Sequence, residues 1–285
     1  MESMFAEMPL ALFTTFSSVG AGAFVALAAV VFAAGLDEAA AKKLDRMSLI
    51  PFLVACVGFV CAFFHLASPL HAFGVFAGVG SSPLTNEIVA GMVFMVAAAV
   101  YVVLALCGKL SGALRRGLVA VCAVLAVVFA LFMGAAYMMP TIASWDTWST
   151  PVQMLGFCLI GGAALMGLLV AVSDMRDVLL ASGAKRALVA LGCAGALMAV
   201  VALGAFFAAA GSLPSVWADA AQLVPAAMPY AVAGGLLLVL GAALLVAALA
   251  KKSPVALSSV SVVCVTVGIL VARLAFYAVQ ISAGI

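Results

Sequence analysis

Charge is scarce in this chain. Only 8% of its 285 residues are Asp, Glu, Lys or Arg, whereas a soluble domain uses about a quarter to cover its surface. A water-facing globule of this length is therefore excluded. Histidine is scarcer still, with His65 and His71 alone. Two histidines six residues apart around one helix end do not supply the facing axial ligands of a bis-histidine haem. The seven cysteines (Cys56, Cys61, Cys107, Cys122, Cys158, Cys193 and Cys264) form no C-x-x-C pair, so neither an iron–sulfur cluster nor a zinc site is expected in this chain. No nucleophile elbow, phosphate loop or credible triad is present, and no molybdopterin site is expected. The net charge of +2 is too small and too clustered to suggest a nucleic-acid partner. A removable signal peptide is not expected either, because Glu2 and Glu7 precede the first apolar run without Lys or Arg.

What the chain has is apolar sequence, 68% of all residues. A spanning helix needs about 20 mostly apolar residues. Eight stretches qualify: 9–34, 48–66, 87–107, 118–139, 151–172, 187–210, 229–250 and 255–280. The expected fold is all-α, a polytopic bundle of eight transmembrane helices forming a single integral-membrane domain over residues 1–285 with the lipid bilayer as its solvent. Lys42, Lys43, Arg46, Lys109, Arg115, Arg116, Arg176, Lys185, Arg186, Lys251 and Lys252 all fall in odd-numbered loops, and the even-numbered loops hold no Lys or Arg. The positive-inside rule then puts the odd loops in the cytoplasm and both termini on the outer, extracytoplasmic side. Trp145, Trp148 and Trp217 lie in the even loops, as an interfacial aromatic belt would place them. Leu70–Ala77 and Leu213–Gln222 are expected as short helices flat on the outer interface.

Three ionisable residues stand out against the apolar spans. His65 ends the second, Glu87 opens the third, and Arg273 lies within the eighth. At 1.5 Å per residue, Arg273 sits roughly 27 Å from the cytoplasmic end, at the depth of the other two. Tyr277 is one turn beyond it on the same side. Buried charge is costly in lipid, so a shared depth points to a site, with no other ionisable residue expected inside a span. A quinol head group needs hydrogen-bond partners for two oxygens and acceptors for two protons, which an imidazole and a carboxylate provide. Arg273 would hold Glu87 in place, and Phe63, Phe64 and Phe73 would wall the ring. A proton-coupled small-molecule transporter could use the same residue types, but it calls for broken helices near the midplane. A purely structural anchor without quinol chemistry is the third reading.

Phe64–Phe94 (FHLASPLHAFGVFAGVGSSPLTNEIVAGMVF) resembles the most recognisable stretch of the membrane-anchor subunit of anaerobic dimethyl sulfoxide reductases, the DmsC family. That family carries an H-L-[GA]-S-P motif and then S-x-L-[ST]-N-E-I at the start of the third helix. Glu7–Pro9 (EMP), Trp148–Pro151 (WSTP) and Ala272–Tyr277 (ARLAFY) extend the likeness over nearly the whole chain. His71 departs from it, since the family has another basic residue there. The resemblance implies a multi-pass protein of the cell inner membrane that binds menaquinol as an exchangeable substrate. It would pass electrons to an iron–sulfur subunit and anchor that subunit together with a molybdopterin catalytic subunit. The resemblance assigns His65 and Glu87 to the quinol site; Arg273 and Tyr277 join them by depth, and Phe64 and Ser68 complete the expected quinol-binding set.

Overall fold

The computed structural model describes residues 5–64, 74, 76–173, 175, 183–213, 220–250 and 254–282. His65, Ser68, His71, Phe73, Arg176 and Trp217 lie outside the described residues, as do Lys251 and Lys252 and most of the two expected interfacial helices. The helices are α1 (Met8–Ala33), α2 (Glu38–Met47), α3 (Leu49–Phe63), α4 (Pro83–Leu106), α5 (Gly112–Ala135), α6 (Ser149–Val172), α7 (Gly183–Gly211), α8 (Ala220–Ala250) and α9 (Pro254–Ala278). Among the described residues there is no strand, only one isolated bridge between Ile142 and Ser282. Eight helical stretches are long and apolar enough to cross a membrane, with α2 and α3 joined as one.

Lipid is as apolar as a leucine side chain, so helix association in a bilayer must come from close packing and hydrogen bonds. α1 and α6 are the most buried spans, and they meet where two glycines face each other. A Cβ on Gly22 would run into the Cys158 backbone, and one on Gly162 into the Gly22 backbone. α7 approaches α6 in the same way at Gly156 and Gly195. The remaining helices surround this pair and show lipid a surface of Leu, Val and Phe.

Several boundaries differ from expectation, each for a local reason. α5 starts at Gly112 rather than 118, because the Ser111 side chain caps it by accepting from the Leu114 backbone N–H at 3.4 Å. Arg115 is therefore not a loop residue but a helical one, and it is buried. α4 starts at Pro83 behind a Ser82 cap, so Glu87 lies one turn inside the helix rather than at its opening. α8 extends back to Ala220 through Pro225 and Pro229, since spanning helices tolerate proline where neighbours satisfy the freed carbonyls.

The expectation that no further ionisable group lies inside a span is corrected as well. Asp45 and Arg115 are both buried, joined by a 2.7 Å ion pair from Arg115 Nε to an Asp45 oxygen. Tyr101 donates to the other Asp45 oxygen at 2.6 Å. The Arg115 guanidinium also reaches both Glu38 oxygens, at 3.2 and 3.1 Å. This clamp ties α2, α4 and α5 together at the end of the bundle that carries the basic residues.

Candidate functional site

The opposite end gathers the N-termini of α1, α4 and α6 with the C-termini of α3, α5 and α9. Glu87 is placed there by the turn before α4. Gly80, with φ at +83°, donates its N–H to Asn86 Oδ1 at 2.8 Å, and the Ser82–Pro83 pair starts the helix so that its fifth residue points inward. One turn further on, a Cβ at Gly91 would strike Phe59 and Phe129. Phe59 stacks on Phe129 at 5.6 Å and Phe94 on the same ring at 6.0 Å, while Phe13 meets Phe59 edge-on at 5.6 Å. Glu87 thus stands above an aromatic floor, buried, with Oε1 lacking any hydrogen-bond partner.

Arg273 is the largest fully buried side chain. Its Nε donates to Thr14 Oγ1 at 3.1 Å and one terminal nitrogen to the Tyr277 hydroxyl at 2.6 Å. The Tyr277 and Tyr137 hydroxyls share a 2.6 Å hydrogen bond. The guanidinium carbon lies 4.6, 4.3 and 4.5 Å from the ring centroids of Tyr137, Phe276 and Tyr277, a cage that offsets part of its lost hydration. The other terminal nitrogen, Nη1, has no partner. Glu87 is within electrostatic range of Arg273, Tyr137 and Tyr277. Among the described residues no ion pair or hydrogen bond joins Glu87 to Arg273, which was expected to hold it.

The loop after α5 closes the end of α9. Ser144 Oγ donates to the Val279 carbonyl at 2.7 Å and accepts from the Ile281 N–H at 3.0 Å. Trp145 stacks on Phe276 at 5.2 Å between centroids and donates its indole N–H to the Phe276 carbonyl at 3.3 Å. Trp145 is accordingly buried packing rather than an interfacial belt residue, while Trp148 is exposed. Phe64 is 76% exposed and Phe63 also faces outward. Phe13, Phe59 and Phe129 instead pack on one another inside the bundle.

Pattern reading passes over other buried polar residues in these spans. Gln153, one turn into α6, is buried with neither amide atom hydrogen-bonded. Ser17 and Ser18 on α1 likewise have unpartnered hydroxyls. A lone glutamine in an otherwise apolar helix was a usable signal for Gln153. Tyr137 and Thr14 gave none, because their roles depend on a meeting of α1, α5 and α9 that only the fold supplies. Among the described residues no group of three or more His, Cys, Asp or Glu is placed to hold a metal ion.

The fold and these buried polar groups define a multi-pass helical membrane protein with ionisable side chains set in apolar walls. The profile of the DMSO reductase anchor subunit (DmsC) family matches residues 1–279. The chain belongs to that family, and it is thus the membrane-anchor component of a complex with catalytic and electron-transfer subunits. It is 30% identical over 284 residues to the C subunit of the anaerobic dimethyl sulfoxide reductase of Escherichia coli K12, covering 98% of this protein and 96% of that one. The YnfH subunit of an anaerobic dimethyl sulfoxide reductase from the same organism is 29% identical over 159 residues, 56% of each protein. The C subunit from Haemophilus influenzae is 28% identical over 174 residues, 60% of this protein and 61% of the relative.

Proposed function

We propose that this anchor subunit oxidises menaquinol at the end of the bundle carrying both termini, and that this end faces the outside of the cell inner membrane. The observation that carries the reading is the set of buried, unpartnered polar atoms on four helices: Glu87 Oε1, both Gln153 amide atoms, Arg273 Nη1 and the Ser17 and Ser18 hydroxyls. Buried polar groups are nearly always hydrogen-bonded, so such a collection calls for a guest that bonds with them. A dihydroxy aromatic head group meets the requirement: two hydroxyls to donate and accept, and an apolar ring for the Phe13–Phe59–Phe129 floor.

Oxidation removes two electrons and two protons from the quinol, leaving quinone. Glu87 accepts one proton and His65 the other, each from the hydroxyl it bonds. Arg273 is fixed by Thr14 and Tyr277 within electrostatic range of Glu87. Tyr277 stands between the cation and the Tyr137 hydroxyl. The electrons leave for an iron–sulfur subunit and then a molybdopterin catalytic subunit docked on the same face. Protons and electrons depart on one side, so turnover is electroneutral.

The transporter reading asks for helices broken near the midplane, whereas α1, α4, α5, α6 and α9 run unbroken through their spans. The direct test is menaquinol oxidation by the assembled complex. Glu87→Gln is expected to lower kcat by about a hundredfold or more, the usual loss when a positioned proton acceptor is removed. An unchanged rate would remove Glu87 from the chemistry.

A further inference from the structure

At the basic end, a groove of about 630 Å³ opens between the start of α3, the end of α6 and one face of α2. Its lining combines Lys42, Lys43 and Arg46 with Met47, Leu49, Ile50 and Val172. The two sets of residues fall largely on different elements. The cations belong to the short helix that precedes α3, while the apolar residues open onto an exposed track down α3, Ile50, Leu53 and Val57, at helical spacing. Charge above and lipid-facing hydrocarbon below is the layout of a lipid molecule standing in its leaflet.

The cations are also held in this direction. α2 buries Ala41, Leu44 and Asp45 and exposes Lys42, Lys43 and Arg46. Its rotation about its own axis is fixed by two contacts with Arg115, to Asp45 at 2.7 Å and to Glu38 at 3.1 Å. Its start is fixed by Asp37, which accepts from the Ala40 N–H at 2.7 Å. Lys42 is only loosely engaged with Glu38, at 3.8 Å. The Asp45–Arg115–Tyr101 clamp therefore presents three cations to one groove.

We propose that this groove is a binding site for an anionic phospholipid, the phosphate of its headgroup seated on Lys42, Lys43 and Arg46 and an acyl chain running along Ile50, Leu53 and Val57. Basic pockets beside spanning helices attract anionic headgroups in this way. An acidic protein segment would satisfy the cations but would leave the apolar track beneath them unmatched. The site is independent of the quinol chemistry and lies at the other end of the bundle.

The test is native mass spectrometry of the detergent-solubilised complex after addition of equal amounts of phosphatidylglycerol and phosphatidylcholine. Wild type should retain phosphatidylglycerol in preference. The triple variant Lys42→Gln/Lys43→Gln/Arg46→Gln should lose the preference, at roughly fivefold in affinity per cation removed. Lys109→Gln/Arg116→Gln, two exposed cations at the same end but outside the groove, should keep it. Ile50→Asp leaves every cation in place and should also cut retention, which serves where the triple variant does not assemble. Equal retention of both lipids by wild type, or unchanged preference in the triple variant or in Ile50→Asp, overturns the proposal. So does release of a partner subunit from the triple variant with lipid retention intact, which would make the groove a protein-docking site.

Discussion

Arg273 and Gln153 pose the same physical problem with different outcomes. Arg273 is fully buried yet uses two hydrogen bonds and three aromatic rings, so most of its desolvation is offset. Gln153 is buried with nothing bonded at either end of its amide, a net cost in the unliganded protein. Replacing a buried unpartnered amide by an apolar group of similar size is near neutral or stabilising. Gln153→Met is therefore expected to hold or raise Tm while slowing menaquinol oxidation about tenfold, the share of roughly one lost head-group hydrogen bond. Thermal unfolding and turnover of the same preparation check it. A destabilised variant with full activity would make Gln153 structural. Glu87 and Arg273 were legible because ionisable residues are conspicuous in apolar spans. Gln153 carried a weaker signal of the same kind, a neutral amide in an apolar run that stands out less than a charge. Thr14 and Tyr137 were illegible in principle, being ordinary residues whose meaning comes from tertiary contact.

Helices read well from hydropathy and their joins read poorly. The eight apolar runs became eight spans, because length and composition alone decide whether a segment can cross a bilayer. The ends shifted wherever a cap outweighed hydropathy, as Ser111 and Ser82 did for α5 and α4. That shift concealed Arg115 inside a helix and with it the Asp45 clamp. Breaking a buried pair from one side leaves a lone buried charge and costs about 3–5 kcal/mol. Arg115→Gln, which strands Asp45, is expected to lower Tm far more than Glu38→Gln, because the Glu38 side chain is 54% exposed and water replaces its partner. Equal losses would contradict the clamp. The α1–α6 crossing yields a second comparison. Gly22→Ala forces the two backbones apart and should cost about 1–3 kcal/mol, while Gly204→Ala meets nothing within 4 Å and should be neutral or gain up to about 1 kcal/mol from helix propensity.

At the scale of the whole molecule, the two ends of the bundle differ in kind. One is clamped by ion pairs and edged with cations, and the other holds the polar cluster under the loop that follows α5. The proposed topology places the first in the cytoplasm. Cys107 caps α4 at that end and is exposed. A membrane-impermeant thiol reagent should label it only after spheroplasts are opened, and labelling in intact spheroplasts would invert the topology.

The proposed quinol site rests on the buried, unpartnered polar atoms of Glu87, Gln153 and Arg273. The decisive experiment is titration of a fluorescent menaquinol analogue into membranes containing the assembled complex, comparing wild type with Glu87→Gln, Gln153→Met and His65→Ala. Saturable binding to wild type, weakened by all three substitutions, is the expected result. Saturable binding that none of the three disturbs would contradict this assignment and place the quinol site elsewhere in the complex.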